Sequence, residues 1–318
     1  MQTQPYPAVG AVVSDPSGTT LRDAIAYVTG QMREPAAPPA IDHRRARFLW
    51  GLAQPLLGMR VMLRDRTMLG EALVPVFAVA LLCTIGAIAS ATANESDPIR
   101  RIGVGIVWFF ATFITLAPVP PFLFARHYAR MAARARGLLG LGPRDPWLEP
   151  IAVSLGKTIA QSIVIAIGLA PITIVLSLVP YAAPLVLLVQ GLWTLHWMVV
   201  EGLDNGRSLA PGDSVDRVTR EEAALRHDPW FHRWLDRVPP RAAKWLAPVR
   251  MIAEIVRALG SSWSPEIRIV ERDHALAGGF GLGVVALLAV PGLNLFFRPA
   301  LVIGAAHLRG RLEHDAGT

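Results

Sequence analysis

The sequence predicts an all-α integral membrane protein with two long transmembrane helices, two helical hairpins that penetrate the bilayer only partly, and interfacial amphipathic helices. The composition supports this class, because 53% of the 318 residues are hydrophobic and only 17% are charged, whereas soluble proteins carry about 25% charged residues. The distribution supports it too, since the apolar residues form long runs and residues 158–200 contain no Asp, Glu, Lys or Arg.

Three regions of different composition define the predicted organisation. Residues 1–40 are rich in proline and alanine, which predicts a disordered tail because little apolar surface is available for burial. A single membrane domain is predicted over 41–310, followed by a C-terminal tail over 311–318. The membrane domain opens with a basic amphipathic segment at 42–66, which is typical of the headgroup layer.

The first two spans are predicted at about 71–93 and 102–125, and prolines at positions 118, 120 and 121 predict an interruption in the second. The connecting loop has as many acids as arginines, whereas arginines precede the first span and follow the second. Because basic loops stay on the cytoplasmic side, both chain termini are expected in the cytoplasm. This topology accounts for the net charge of +7, so nucleic acid is not an expected partner.

A first hairpin is predicted at about 154–201, and its arms are long enough either to cross the membrane or to form a re-entrant hairpin. Pro171 predicts a kink in the first arm, and Gln161 is a candidate for an interhelical hydrogen bond. A cytoplasmic or interfacial insert follows at about 202–272. Tryptophan and arginine recur in this insert, and residues 245–259 have the spacing of an amphipathic helix.

The last hairpin is predicted at about 275–308. Its first arm would be about 24 Å long at 1.5 Å per residue, which is short of the roughly 30 Å hydrocarbon core. The turn contains Pro291 and Gly292 and no charge, so we expect a re-entrant hairpin that returns to the side it entered from. Gly279 and Gly283 have the four-residue spacing that favours close helix packing.

Arg298 is the one Asp, Glu, Lys or Arg residue in this hairpin. A guanidinium in an apolar segment costs about 2.5–3.5 kcal/mol on insertion scales, so it needs a partner or a wet cavity. Asn294 lies four residues earlier and would share a helix face with it, near a helix N-terminus that also attracts anions. Two interpretations remain open: contact with an anion, or a structural role in which Arg298 pairs with a carboxylate such as Glu71 or Glu201 or with the carbonyls of the turn.

Signals for enzymatic chemistry are weak. His227 and His232 lack a spacing that would place metal ligands on one helix face. The glycine-rich stretch 278–283 lacks the Lys-Ser/Thr that follows a phosphate-binding loop. We therefore predict no catalytic residue, no metal and no cofactor.

The last hairpin also carries a pattern of residues that continues upstream in the chain. It comprises Phe280-Gly281, Val290-Pro291-x-Leu293-Asn294-Leu295, Pro299 and Gly304-Ala305, with Phe48-x2-Gly51, Val74-Pro75 and the polar stretch 201–209 upstream. Over about residues 45–310 the chain resembles the CysZ-type sulfate transporter family, which is related to the etoposide-induced membrane protein family.

This resemblance implies a bacterial inner-membrane protein that forms homo-oligomers, contacts membrane lipids and takes up sulfate. Family members carry arginines shortly before the first span, for which Arg64 and Arg66 are the nearest candidates here, whereas Arg298 stands where the family usually has an apolar residue. The predicted anion-binding residues are thus Arg298, Asn294, Arg64 and Arg66, and the predicted structural ones are Pro291, Gly292, Pro299, Gly279 and Gly283. The alternative function is a non-transporting scaffold or interaction protein of the same fold, whose basic segments and insert would recruit lipid or a soluble partner.

Overall fold

The computed structural model describes residues 20–94, 96–116, 123–225, 227–239, 246–288 and 294–316. It is 81% helical, which places the chain in the all-α class. The helices are α1 (Leu21–Arg33), α2 (Arg44–Arg64), α3 (Arg66–Asn94), α4 (Pro98–Leu116), α5 (Ala125–Leu138), α6 (Ile151–Ile167), α7 (Ala170–Ser177), α8 (Ala183–Asn205), α9 (Val215–Ala224), α10 (Trp230–Asp236), α11 (Ala247–Gly260), α12 (Ser264–Arg272), α13 (His274–Leu288) and α14 (Asn294–Ala316). Two short strands, β1 (Asp145–Pro146) and β2 (Ser208–Leu209), pair antiparallel and tie the loop after α5 to the insert.

Three helical stretches in the described part of the chain are long and apolar enough to cross a membrane: Arg66–Ala93, Ile151–Ser177 and Ala183–Asn205. The first contains the predicted span at 71–93. The other two are the arms of the first hairpin, which therefore have the length of full spans. α4 covers the start of the predicted second span, and the prolines at 118, 120 and 121 lie outside the described residues.

The apolar helices expose much of their surface, as lipid-facing helices do. Phe77, Ile174 and Leu187 are 66%, 61% and 73% exposed, respectively. A soluble protein rarely leaves apolar surface of this extent in contact with water. The first arm is also divided between α6 and α7, immediately before Pro171, because proline cannot donate the backbone hydrogen bond that would continue the helix.

The centre of the fold is α2, which packs more extensively against α13 and α14 than any other helices pack together. Glycines allow this close approach. Gly279 faces the carbonyl of Phe48 so closely that no Cβ would fit there, and a Cβ at Gly283 would lie 2.9 Å from a side-chain atom of α2. Gly58 and Gly304 bring the backbones of α2 and α14 together in the same way.

The second arm of the last hairpin is a core helix. Every residue of α14 from Pro299 to Arg311 is buried, and the helix contacts α2, α5 and α8. Inside this core His307 Nδ1 lies 2.6 Å from Gln54 Oε1. Protein thus surrounds the arm on several sides, which is the environment that polar groups within a membrane domain require.

The predicted disordered tail over 1–40 is wrong for its second half, because residues 20–40 contain a helix and an extended segment that contacts the core. α1 begins with a capping box between Thr20 and Asp23. An extended segment at 34–41, the strap, follows it across the core. The Trp50 indole donates to the Ala36 carbonyl at 3.2 Å, and the Arg47 guanidinium donates to the Pro39 carbonyl. Composition misses this order because the donors that hold the strap belong to distant segments, α2 and α14.

The predicted C-terminal tail over 311–318 is likewise wrong for most of its length, since α14 continues to Ala316. Arg311 is buried and donates to the Pro35 carbonyl at 3.4 Å. Glu313 accepts a hydrogen bond of 2.6 Å from Arg136. These contacts with distant segments extend the helix beyond the apolar run that defined the hairpin.

The insert contains β2 and the helices α9 to α12. α11 confirms the amphipathic helix predicted at 245–259, with Ala253 and Val256 buried and Met251 60% exposed. Trp245 lies outside the described residues. Because α11 packs against α6, the insert lies beside the first arm of the first hairpin.

Candidate functional site

Arg298 lies in the second turn of α14, where its side chain is 24% exposed. Its Nη1 is 4.0 Å from Glu201 Oε1 on α8, which is too long for a hydrogen bond. Its buried Nε has no hydrogen-bond partner among the described residues. Of the two carboxylates considered as structural partners, Glu201 is therefore the one near the guanidinium, and it pairs with it only loosely.

A cavity of about 250 Å³ opens beside this guanidinium. Its walls come from α5, α6, α8, α13 and α14. The polar residues that line it are Tyr128, Thr158, Gln161, Ser162, Glu201, Asn205 and Arg298. A buried water needs roughly 10–15 Å³ of such volume, so the cavity has room for an oxyanion together with several waters.

Tyr128 contributes a second unpaired donor to this cavity. Its hydroxyl is buried and has no hydrogen-bond partner within the described residues. Burial raises the pKa of Tyr128 to about 12, although the charge of Arg298 acts in the opposite direction. The phenol therefore keeps its proton at physiological pH and remains a donor.

A smaller cavity of about 70 Å³ continues from the first one and shares Thr158, Gln161, Glu201 and Asn205 with it. Gln161 Nε2 donates to Glu201 Oε2 at 3.0 Å, and both side chains line both cavities. The far side of the smaller cavity is charged: its lining includes Lys157, which is 3.1 Å from Asp204, and Arg207, which stacks on Trp147. Both cavities lie between α5, α6 and α8 and share lining residues from α6 and α8.

This arrangement suits a small anion. The guanidinium and the phenol both donate and stay protonated, and the Arg298 Nε and the Tyr128 hydroxyl have no hydrogen-bond partner in the described part of the protein. No family model, curated protein or solved structure matches this chain.

The structure separates the four predicted anion-binding residues. Arg64 and Arg66 are exposed where α2 meets α3, and neither lines the cavity at Arg298. Asn294 begins α14, but its side chain lies outside the described residues, as do Pro291 and Gly292. Arg298 is thus the predicted residue that the structure places at the cavity.

Tyr128, Thr158 and Asn205 were not among the predicted site residues, although Asn205 belongs to the polar stretch 201–209. Tyr128 stands in a basic stretch far from the hairpin, and no spacing rule links it to Arg298. A weak signal existed in α6, because Thr158 and Gln161 lie three residues apart in an otherwise apolar helix and so share one face. Such a polar stripe predicts contact with water or with other polar groups, but it does not identify the helices that pack around it.

The histidines considered as metal ligands have other contacts. His232 Nε2 is 2.9 Å from the Ala253 carbonyl, and His227 Nε2 is 2.8 Å from Glu271 Oε2. Within the described ranges no group of three His, Cys, Asp or Glu residues is placed to hold a metal ion. These contacts give the two rings structural roles in the insert.

Proposed function

We propose that the chain carries a small inorganic anion across the membrane through the cavity at Arg298, with sulfate as the first candidate. The observation that supports this proposal is the pair of buried donors, Arg298 Nε and the Tyr128 hydroxyl, that lack partners in the described protein beside a cavity that Gln161, Glu201 and Asn205 also line. A guanidinium cannot lose its proton, and its planar fork matches the oxygen atoms of an oxyanion. A site of this kind binds anions and rejects cations.

Glu201 would keep such binding reversible. Its carboxylate lies 4.0 Å from the guanidinium and competes with an incoming anion for the same positive charge. Conduction requires a site that attracts an ion without holding it too tightly. The smaller cavity, with Lys157 and Arg207 among its lining residues, would be the next binding site for the anion.

The resemblance of the last hairpin to sulfate transporters favours sulfate over other oxyanions. A location in the bacterial inner membrane and assembly into homo-oligomers belong to the same proposal, because they come from that resemblance. The three apolar stretches of span length agree with a membrane location in general.

Sulfate flux into liposomes that contain the purified protein tests the proposal. Arg298→Gln removes the charge and is expected to weaken anion binding by about 10- to 100-fold, because hydrogen bonds to charged groups contribute about 1.5–3 kcal/mol. Tyr128→Phe removes one neutral donor and is expected to cost about 3- to 10-fold. The matched control is Arg130→Gln, which removes an exposed arginine from the same helix as Tyr128.

Two results would remove the proposal. One is wild-type flux no greater than that of protein-free liposomes. The other is an Arg298→Gln variant that folds and transports sulfate as fast as the Arg130→Gln control.

A second candidate, the membrane scaffold, has its own supporting observation. Trp230 and Trp234 lie four residues apart on α10 and are 51% and 52% exposed, with Arg233 between them. Amphipathic aromatic rings beside cations suit a membrane interface or a soluble partner. A pull-down that returns no partner, together with a growth defect on limiting sulfate in a deletion strain, would exclude the scaffold.

A further inference from the structure

A third cavity, of about 710 Å³, lies between the strap, α12 and the end of α14. It shares no lining residue with the cavity at Arg298 or with the smaller one next to it. Four arginines line it: Arg47, Arg268, Arg272 and Arg309. Its other walls are largely apolar and come from the strap, α12 and α14.

The carboxylates of this cavity are already neutralised. Asp273 is paired with Arg47, which is buried with it. Glu313 accepts from Arg309 at 3.1 Å and from Arg136 at 2.6 Å. Glu222, the remaining acid in the lining, is paired with Arg207 and lies 3.6 Å from Arg309. These three carboxylates therefore form ion pairs with Arg47, Arg136, Arg207 and Arg309. None of them neutralises the other two arginines of the cavity.

Arg268 and Arg272 are those other cations. They lie four residues apart on α12, so both project from the same face of the helix. Both are exposed, and neither has an ion-pair or hydrogen-bond partner among the residues that the structure describes. The cavity thus presents two free guanidinium groups next to the apolar side chains of Ile41, Pro265 and Leu312.

We propose that this cavity binds an anionic phospholipid, with the phosphate held between Arg268 and Arg272 and the adjoining acyl or glycerol carbons against the apolar wall. Guanidinium groups bind phosphate through paired hydrogen bonds, and basic clusters next to membrane helices bind anionic headgroups. The position agrees with a lipid, because α12 ends at Arg272 and the apolar helix α13 begins at His274. A free phosphate ion would use the same two arginines but would leave the apolar wall unoccupied.

Lipid binding by the full-length protein in detergent tests this site independently of transport. After exchange into phosphatidylcholine, the wild-type protein is expected to retain added phosphatidylglycerol in native mass spectrometry. The double variant Arg268→Gln/Arg272→Gln is expected to bind it about 30-fold more weakly, since each cation near a membrane surface contributes about 1 kcal/mol. Arg268→Lys/Arg272→Lys keeps the charge, loses the planar fork and should fall between the two.

Arg100→Gln/Arg101→Gln is the matched control, because it removes two exposed arginines from the first turn of α4, at the end predicted to lie on the other side of the membrane. It should bind phosphatidylglycerol like the wild type. Equal phosphatidylglycerol binding by the wild type and the Arg268→Gln/Arg272→Gln variant would overturn the site. If the wild type retains phosphatidylcholine as well as it retains phosphatidylglycerol, the cavity is an apolar groove that does not recognise the anionic headgroup. Thermal stabilisation of the wild type by inorganic phosphate, without any retained phosphatidylglycerol, would overturn the lipid and identify a soluble phosphate as the ligand.

Discussion

The contact between α2 and α13 offers a sharp test of the fold through the substitution Gly279→Ala. A Cβ at Gly279 would collide with the backbone carbonyl of Phe48. A backbone group cannot rotate away as a flexible side chain does, so the two helices would have to separate. Separation would loosen the packing that continues through Gly283 and Gly51 along the same interface.

The magnitude follows from two opposing effects. Alanine has a helix propensity about 1 kcal/mol better than glycine, which favours the variant. Overpacking a well-packed core costs about 1–3 kcal/mol and occasionally more, and a backbone obstruction belongs at the upper end of that range. We expect Gly279→Ala to lower the free energy of unfolding by about 1–2 kcal/mol, measured by thermal unfolding of the purified protein in detergent.

Gly278→Ala is the control on the same helix. A Cβ at Gly278 would lie 3.7 Å from the ring of Phe48, which is an ordinary van der Waals contact. This variant should be neutral or more stable by up to about 1 kcal/mol, because it gains helix propensity without a collision. If the two variants change stability in the same direction and by the same amount, the close approach of α2 and α13 is wrong.

Three further predictions concern Arg309, Glu313 and Cys83. Arg309→Met should cost about 3–5 kcal/mol in denaturant unfolding, because it leaves the fully buried Glu266 without its nearest cation, whereas the exposed Arg130→Met should change stability by less than about 0.5 kcal/mol. Burial acts to raise the pKa of Glu313, but its arginine partners hold that pKa below its ordinary value of 4.5, so its stabilising effect is present above pH 4.5 and is lost as the pH falls through the folded-state pKa. Glu313→Gln should therefore flatten the acid limb of the stability profile, and an unchanged limb would contradict this assignment. Cys83 is fully buried, so a maleimide should label it only after unfolding, and rapid labelling of the folded protein would contradict the packing of α3.

The helical class and the membrane location could be predicted from the sequence because both depend on properties of single segments. An uncharged run such as 158–200 is apolar whatever its neighbours are, and the period of α11 is visible in residues 245–259 alone. The kink before Pro171 is local in the same sense. The errors at 20–40 and 311–316 arose where order comes from elsewhere, since Arg47, Trp50 and Arg136 supply the contacts.

The candidate site shows the same division. Arg298 could be found from the sequence because a charge within an apolar run is conspicuous by itself. Its relation to Glu201 was one of two possibilities, and its proximity to Tyr128 was not foreseeable. These residues lie on three different helices, so their meeting depends on how α5, α8 and α14 pack.

The sequence by itself determined that this chain is an apolar, helical membrane protein with one arginine within the apolar residues of its last hairpin. Hydropathy and helix periodicity are sums over neighbouring residues, so both can be read from the sequence without knowledge of the fold. Only the tertiary structure decided that α14 is a core helix, that Arg298 opens onto a cavity with Tyr128, and that Arg268 and Arg272 line another cavity without a partner among the described residues. The physical reason is that pairing and burial depend on which backbones can approach closely, and here the glycines of α2, α13 and α14 set that approach.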